Sequence, residues 1–193
     1  MKSLFLVFII VVGLFAYRHF ILGGVLTENL YPPNNASPYL LPWKKGESHF
    51  CFQGNNGVLS HKNRTQYAWD FLMLDGTDIY AARAGRVAIV VDGHEGRGSD
   101  KPNNEIYIDH GDGTSARYAH IRKHGSKVKI GDEVQQGQVI GSSGDVGRSL
   151  GPHLHFEVIN ESKETIPISF SDVEEHSGVP RTFFFYSSKN GTP

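Results

Sequence analysis

Two histidines two positions apart, His153 and His155, are the residues of this 193-residue chain best suited to chemistry. They open a run in which they alternate with the apolar residues Leu154, Phe156 and Val158. Residues i and i+2 of a β-strand share a face, so the spacing predicts two neighbouring imidazoles and an apolar face turned to a core. Such a pair suits a metal site or an acid–base pair, and it also fits two histidines that are only hydrogen-bonded at the surface.

Two upstream residues could extend this pair into a larger site. Asp70 lies in an apolar segment, residues 67–72, in which Trp69 and Phe71 would face one side of a strand and Asp70 the other. An unpaired buried carboxylate is unfavourable, so Asp70 needs either an arginine partner or a metal ion. His120 ends another predicted strand, residues 114–121, which makes it a further candidate.

Composition favours a β-rich domain and argues against nucleic-acid binding. The chain has 19 Lys and Arg against 20 Asp and Glu, and its basic residues form no stripe interleaved with aromatics. Its 22 glycines separate many short segments, which is typical of an all-β fold. The single cysteine, Cys51, lies between two phenylalanines and is predicted to be a buried core thiol.

The chain divides into four predicted segments. Residues 1–26 are apolar except for Lys2 and an interruption at Arg18 and His19, which fits a signal anchor or a cleaved signal peptide. Either predicts export, and an anchor would be one hydrophobic helix tethering the domain outside the inner or cytoplasmic membrane. Residues 27–46 are rich in proline and predict a linker or extended arm. Residues 47–170 would form the functional domain, and residues 171–193 an edge strand and tail.

The candidate residues lie within or between short motifs that follow one another in a fixed order along the chain. The motifs are the segments 60–61, 67–71, 76–87, 108–113, 118–120, 128–141 and 151–158. With these motifs, residues 48–160 resemble the lysostaphin/LytM-type zinc metallopeptidases, which cut peptidoglycan cross-bridges. The resemblance implies an all-β fold: a compact antiparallel β-sandwich with a groove over a zinc site.

The resemblance also implies roles for five residues. His61, Asp70 and His155 would bind one zinc ion, and His120 and His153 would be the catalytic pair. Two imidazoles and a carboxylate with an open position are the pattern of a catalytic zinc site. By this resemblance the chain would be a zinc metalloendopeptidase that uses a metal-activated water to hydrolyse peptidoglycan peptide.

One departure from the family pattern concerns the first metal ligand. Many members place a histidine four residues before the aspartate, where this chain has Gln66. His61, nine residues before Asp70, resembles a branch of the family in which Ser-His precedes a Tyr-Ala-x-Asp-Phe segment. His49 is the alternative ligand.

Two other functions fit the same motifs. A catalytically inactive member would bind the cell wall or regulate an enzyme, and a zinc hydrolase could act on another substrate. Loops 92–104 and 142–152 are expected to form the groove walls and select the substrate. Glycine bridges and D-alanyl links to a diamino acid are both possible cross-links.

Overall fold

A computed structural model describes residues 30–191, and this part of the chain forms eleven β-strands, three short 3₁₀ helices and no α-helix. The 3₁₀ helices are Asn34–Ala36, Asn63–Thr65 and Glu175–Gly178. The strands are β1 Ser48–Gln53, β2 Trp69–Leu72, β3 Asp78–Tyr80, β4 Gly85–Val91, β5 Glu105–Asp109, β6 Thr114–Ala119, β7 Ile121–Ser126, β8 Glu133–Val134, β9 Val139–Ser143, β10 His153–Asn160 and β11 Phe185–Ser187.

The strands form two antiparallel sheets. An eight-stranded sheet has the order β11-β1-β2-β10-β6-β5-β4-β8, and a three-stranded sheet has the order β3-β9-β7. Every pairing between these strands is antiparallel. This arrangement confirms the predicted all-β antiparallel class. Strands β2 and β10 lie side by side near the middle of the larger sheet, and they carry Asp70 and the two histidines.

The apolar face of β10 is buried as its alternation predicts. Leu154, Phe156 and Val158 are fully buried. Phe156 contacts Trp69 of β2 and Tyr118 of β6, with ring centroids 6.4 and 5.2 Å apart. Each large apolar side chain buried in this way contributes about 1.5–3 kcal/mol to folding. The packing therefore fixes β10 against both neighbouring strands.

The segment predicted as a linker or arm packs on the domain in its described part, residues 30–46. Tyr31, Tyr39, Leu41 and Trp43 belong to the hydrophobic core. Leu41 also donates its amide to the Asp172 carboxylate over 3.0 Å. No residue of 30–46 lines the groove described below. Residues 30–46 thus form an arm held on the core.

The predicted hydrophobic helix at residues 1–26 lies outside the described residues. Between residues 30 and 191 no helix has the length and apolar character needed to cross a membrane. At the other end, β11 is an edge strand of the large sheet, paired with β1. Cys51 is fully buried, and burial raises its thiol pKa well above the ordinary value. The core-thiol prediction is confirmed.

Candidate metal centre

The strand register places the candidate residues in one row across the large sheet. Gln53 of β1 pairs with Asp70 of β2, and Asp70 pairs on its other side with His155 of β10. His155 in turn pairs with Ala119 of β6, which directly precedes His120. Cross-strand partners lie about 4.5–5.5 Å apart, so pairing alone brings these side chains together.

Asp70 is the centre of this row, and histidines surround its carboxylate. Asp70 Oδ1 lies 2.8 Å from His155 Nδ1 and 3.7 Å from His153 Nε2. Asp70 Oδ2 lies 3.2 Å from His61 Nε2. His61, Asp70 and His155 each offer one ligand atom, and these atoms all lie within 4.8 Å of one another. The structure therefore brings together the three residues predicted to bind metal.

The donor set fits a zinc ion. His61 Nδ1 lies 2.9 Å from the carbonyl of Gly54 and must carry the proton of that bond, which leaves Nε2 as the free donor atom. His61 Nε2 is buried and has no hydrogen-bond partner, although it faces Asp70. Two imidazole nitrogens and one carboxylate are the ligands of many catalytic zinc sites. A buried polar nitrogen without a hydrogen-bond partner needs an explanation, and a metal ion shared with the Asp70 carboxylate would provide one.

The histidine and carboxylate of this cluster stabilise each other's charged forms. Burial opposes the charge on Asp70, but the hydrogen bond from His155 and the nearby His61 ring hold its pKa well below the ordinary value. Burial also opposes the charge on His155, but Asp70 and Glu157 together raise its pKa to about 9. A metal ion that binds His155 Nδ1 must displace the proton that this nitrogen shares with Asp70.

Gln53 supports both Asp70 and the loop that carries His61. Its buried side-chain amide donates to Asp70 Oδ2 over 2.9 Å and to Ser60 Oγ over 2.8 Å. Its side-chain oxygen accepts from the backbone amides of Leu59 and Ser60 at 2.9 and 3.2 Å. A Cβ at Gly57 would come within 2.3 Å of the Gln53 side chain, so the loop closes tightly over it. These contacts fix the residue just before His61.

Glu157 supports His155 from the other side. Glu157 Oε2 lies 3.3 Å from His155 Nε2, and Glu157 Oε1 accepts a 2.7 Å hydrogen bond from Arg117. Arg117 also binds the carboxylate of Glu105 at 2.7 Å. Burial opposes the charge on Glu157, but His155 and Arg117 lower its pKa to about 2. A carboxylate behind a ligating histidine orients the ring and increases its basicity.

His120 and His153 lie next to this cluster with their ring centroids 4.3 Å apart. His120 joins β6 to β7, which belong to different sheets, and its φ of +63° is uncommon for a residue with a side chain. His120 Nδ1 lies 2.8 Å from the carbonyl of Val146, and His153 Nδ1 lies 2.8 Å from that of Gly151. In both rings the proton is therefore on Nδ1, and Nε2 can accept one.

Both histidines of the pair are held in the neutral form. Burial, reinforced by the neighbouring His153 and His155, lowers the pKa of His120 to about 3. Burial also lowers the pKa of His153, against the effect of Asp70. In this form each ring carries its proton on Nδ1 and presents Nε2 as an acceptor.

The cluster lies in a groove with a cavity volume of about 580 Å³. Both loops expected to form its walls contribute residues: Asn103 from one, and Arg148, Ser149, Leu150 and Gly151 from the other. The rest of the lining comes from β1, β2, β6, β10, His120 and the segment between β1 and β2 that carries His61.

The alternative ligand His49 lies apart from the cluster. Its ring packs on Trp43 with centroids 5.1 Å apart, and its Nδ1 lies 3.0 Å from the carbonyl of Leu72. Gln66 ends the 3₁₀ helix Asn63–Thr65 and does not line the groove. Of the histidines considered upstream of Asp70, it is His61 that the structure places at the carboxylate.

The sequence also matches a known family model. Residues 64–167, more than half of the chain, match Peptidase family M23. The chain belongs to peptidase family M23. Asp70, His120, His153 and His155 lie within the matched residues, whereas His61 lies three residues before them.

Curated M23-like relatives are similar over part of their length. The chain is 39% identical over 108 residues to peptidoglycan DD-endopeptidase ShyA of Vibrio cholerae, which covers 53% of this chain and 23% of that protein. It is 34% identical over 131 residues to glycyl-glycine endopeptidase ALE-1 of Staphylococcus capitis, which covers 67% of this chain and 33% of that protein. The chain thus spans a third or less of the length of these two relatives.

A solved structure shares the fold. The catalytic domain of a mutant of the prophage-encoded M23 protein EnpA from Enterococcus faecalis superimposes with a TM-score of 0.52 at 23% identity. The match covers 70% of this chain and 98% of that one. At this identity the likeness concerns the M23 fold alone.

Sequence reasoning missed two residues of this candidate site, Gln53 and Glu157. Glu157 could have been found, because it continues the i, i+2 series of His153 and His155 on the same face of β10. Gln53 gave no such signal, because its role depends on the pairing of β1 with β2 and on the fold of the following loop.

Proposed function

We propose that this chain is a zinc-dependent endopeptidase that hydrolyses peptide cross-links of bacterial peptidoglycan outside the cytoplasm. His61 Nε2, Asp70 and His155 Nδ1 would hold the ion. His120 and His153 would form the catalytic pair. The names of the curated relatives, a peptidoglycan DD-endopeptidase and a glycyl-glycine endopeptidase, support this class of substrate.

One observation carries the proposal: the buried, unpaired Nε2 of His61 points at Asp70, within a groove that also contains two neutral histidines. A bound zinc ion supplies Lewis acidity and makes water a competent nucleophile at neutral pH. A purely structural site would instead close all four ligand positions, commonly with thiolates, and Cys51 is the one cysteine of the chain.

His120 and His153 would carry out the proton transfers. Each ring donates Nδ1–H to a backbone carbonyl, so its orientation and tautomer are fixed and its Nε2 is free. One Nε2 would accept a proton from the attacking water, and a protonated ring would deliver a proton to the leaving amine. Once a ring has taken up a proton, its Nε2–H would also stabilise negative charge on the carbonyl oxygen. General acid–base catalysis of this kind is worth about 10²–10⁴-fold in rate.

The test uses the full-length protein, purified in mild detergent, with isolated peptidoglycan sacculi. Newly freed amino groups and bound metal are both measured, before and after treatment with a chelator and after zinc is restored. We expect release that stops with chelation and returns with zinc. His153→Ala should reduce release by at least about 10²-fold while bound zinc stays near one equivalent.

His94→Ala is the matched control, because His94 has an exposed side chain in loop 92–104 and does not line the groove. It should release amines at the wild-type rate. A folded, zinc-loaded protein that releases no amine would contradict the proposal. That outcome would favour the inactive, wall-binding alternative.

A further inference from the structure

Two arginines line the groove, and their charges are balanced differently. Arg117 is held between the carboxylates of Glu105 and Glu157, both at 2.7 Å, so its charge is neutralised. Arg148 has an exposed side chain and forms no ion pair within residues 30–191. Asp70, which is surrounded by histidines, is the one carboxylate among the described residues that line the groove. The groove therefore contains an arginine charge that no carboxylate of residues 30–191 balances.

The loop that carries Arg148 is firmly held. Arg97 forms a bridge with Gly147 in the backbone and a 3.0 Å ion pair with Asp145. Gly147 has a φ of +81°, and a Cβ there would come within 1.7 Å of Asn103 Oδ1. The loop thus packs too closely for a larger residue at this position. Its backbone presents Arg148 at a defined place in the groove.

The same loop holds both catalytic histidines. The carbonyl of Val146, two residues before Arg148, accepts from His120, and the carbonyl of Gly151, three residues after it, accepts from His153. Arg148 therefore lies on the short stretch of backbone between the two anchor points of the catalytic pair. A substrate group bound by Arg148 would lie close to the bond that this pair acts on.

We infer that Arg148 binds a free carboxylate of the substrate next to the scissile amide. This inference rests on the proposed function and deepens it by naming the class of cross-link. A D-alanyl link to a diamino dicarboxylic acid carries a carboxylate on the carbon attached to the scissile nitrogen, whereas a link to the side-chain amine of lysine carries none there. A glycine bridge carries none near its scissile bonds. The guanidinium fork of arginine matches a carboxylate in geometry as well as in charge.

The experiment compares three purified cross-linked dimers with the zinc-loaded, full-length chain. The first has a D-alanyl–diamino acid link with its carboxylate free, the second has the same carboxylate amidated, and the third has a glycine bridge. We expect kcat/KM on the free carboxylate to exceed that on the amidated dimer by about tenfold or more, the range of a charge-assisted hydrogen bond at a partly exposed site. Arg148→Gln should bring this ratio close to one. Arg148→Lys should keep part of it, because lysine retains the charge and loses the fork.

Arg86→Gln is the matched control. It removes the same charge from β4 at a residue that is exposed and does not line the groove, and it should leave the ratio at its wild-type value. Equal cleavage of the two diamino acid dimers by the wild type would overturn the inference and leave the proposed function intact. An unchanged ratio in Arg148→Gln would do the same.

A binding measurement separates the two proposals. Calorimetry of zinc-loaded His153→Ala with the free and amidated dimers, with and without Arg148→Gln, reports carboxylate recognition without turnover. Preferential binding of the free carboxylate that Arg148→Gln removes would support the inference even if no dimer were cleaved. Equal binding of both dimers would overturn it whatever the activity.

Discussion

The three candidate metal ligands come from two regions that hold their side chains in different ways. Asp70 and His155 are direct partners on β2 and β10, two neighbouring strands of the large sheet. His61 lies on the loop between β1 and β2, outside any strand. The strand ligands are positioned by backbone pairing and by the buried apolar residues beside them. The loop ligand is positioned by hydrogen bonds from the amides of Leu59 and Ser60 to Gln53, and from the His61 ring to the carbonyl of Gly54.

This difference shows where the metal centre depends on single side chains. The backbone pairing between β2 and β10 continues over four residue pairs, so no one side chain holds Asp70 beside His155. In the loop that carries His61, one side-chain amide, that of Gln53, contacts Leu59, Ser60 and Asp70 at once. We therefore expect the loop to be sensitive to changes at Gln53, and the strand pair to be more tolerant of changes around it.

The largest expected effect is the loss of a ligand from either region. His61→Ala and His155→Ala should each reduce bound zinc well below one equivalent. Activity on peptidoglycan should fall by roughly a thousandfold or more, because several kcal/mol of transition-state stabilisation depend on the ion. Metal content by mass spectrometry and amine release check both variants, with circular dichroism to verify the fold.

His49→Ala is the control for this first prediction. His49 packs on Trp43 and lies outside the ligand cluster, so its loss should leave bound zinc near one equivalent. If His49→Ala lost the ion and His61→Ala kept it, the assignment of the loop ligand would be wrong.

A smaller effect is expected from Gln53→Met, which preserves the side-chain length and removes its hydrogen bonds. Zinc affinity should fall about 10–100-fold, the range seen when partners of metal ligands are removed. The amides of Leu59 and Ser60 lose their acceptor, so their hydrogen exchange should become faster. Zinc titration and exchange measurements on the zinc-free protein check the two parts separately.

Gln135→Met makes the same exchange at an exposed residue of the segment between β8 and β9. It should change neither zinc affinity nor the exchange of the two loop amides. If Gln53→Met also left zinc affinity and amide exchange unchanged, contacts other than those of Gln53 would hold the loop in place.

The same difference explains which parts of the site the sequence could predict. Alternation along β10 predicted the shared face of His153 and His155 and the burial of Leu154, Phe156 and Val158, because strand periodicity is local. Asp70 and His120 were indicated by their own predicted strands, and the resemblance added His61 and a role for each residue. The pairing of Gln53 with Asp70 depends on strands that meet only in the folded chain. The loop geometry around Gln53 follows from that pairing, so no local pattern could indicate it.

Glu157→Gln tests the strand side of the comparison and should affect metal binding less than Gln53→Met does. The substitution removes the carboxylate behind His155 and one of the two partners of Arg117. We expect zinc affinity to fall about tenfold. The zinc-free protein should lose about 1–3 kcal/mol of stability, because a buried charged group loses a partner. Urea unfolding and zinc titration measure the two effects.

The loop amides provide the contrast between these two variants. Hydrogen exchange at Leu59 and Ser60 should stay at the wild-type rate in Glu157→Gln, because Glu157 supports a strand ligand. Faster exchange at these amides in Glu157→Gln would mean that the two regions are coupled, and the distinction between them would fail.

The smallest expected effect comes from an ion pair outside both regions, between Asp112 and Arg83, whose atoms lie 2.8 Å apart. A hydrogen bond from Thr114 and the nearby Arg83 outweigh desolvation and lower the pKa of Asp112 from 3.8 to about 2. A carboxyl group with a depressed folded-state pKa adds stability above its unfolded pKa and loses that contribution as the pH falls toward the folded value. Asp112→Asn should therefore destabilise the zinc-free protein at pH 6, and the difference should shrink between about pH 4 and pH 2.

The size of this effect is limited by solvent. Asp112 is about half exposed, and exposed ion pairs contribute about 0.2–1 kcal/mol. Zinc affinity should be unchanged, because Asp112 lies in the turn between β5 and β6 and does not line the groove. Urea unfolding at pH 6 and pH 3 measures the stability difference. A loss of zinc binding in Asp112→Asn would show that even a distant carboxylate affects the metal centre. The effects predicted for Gln53 and Glu157 would then no longer distinguish the loop from the strands.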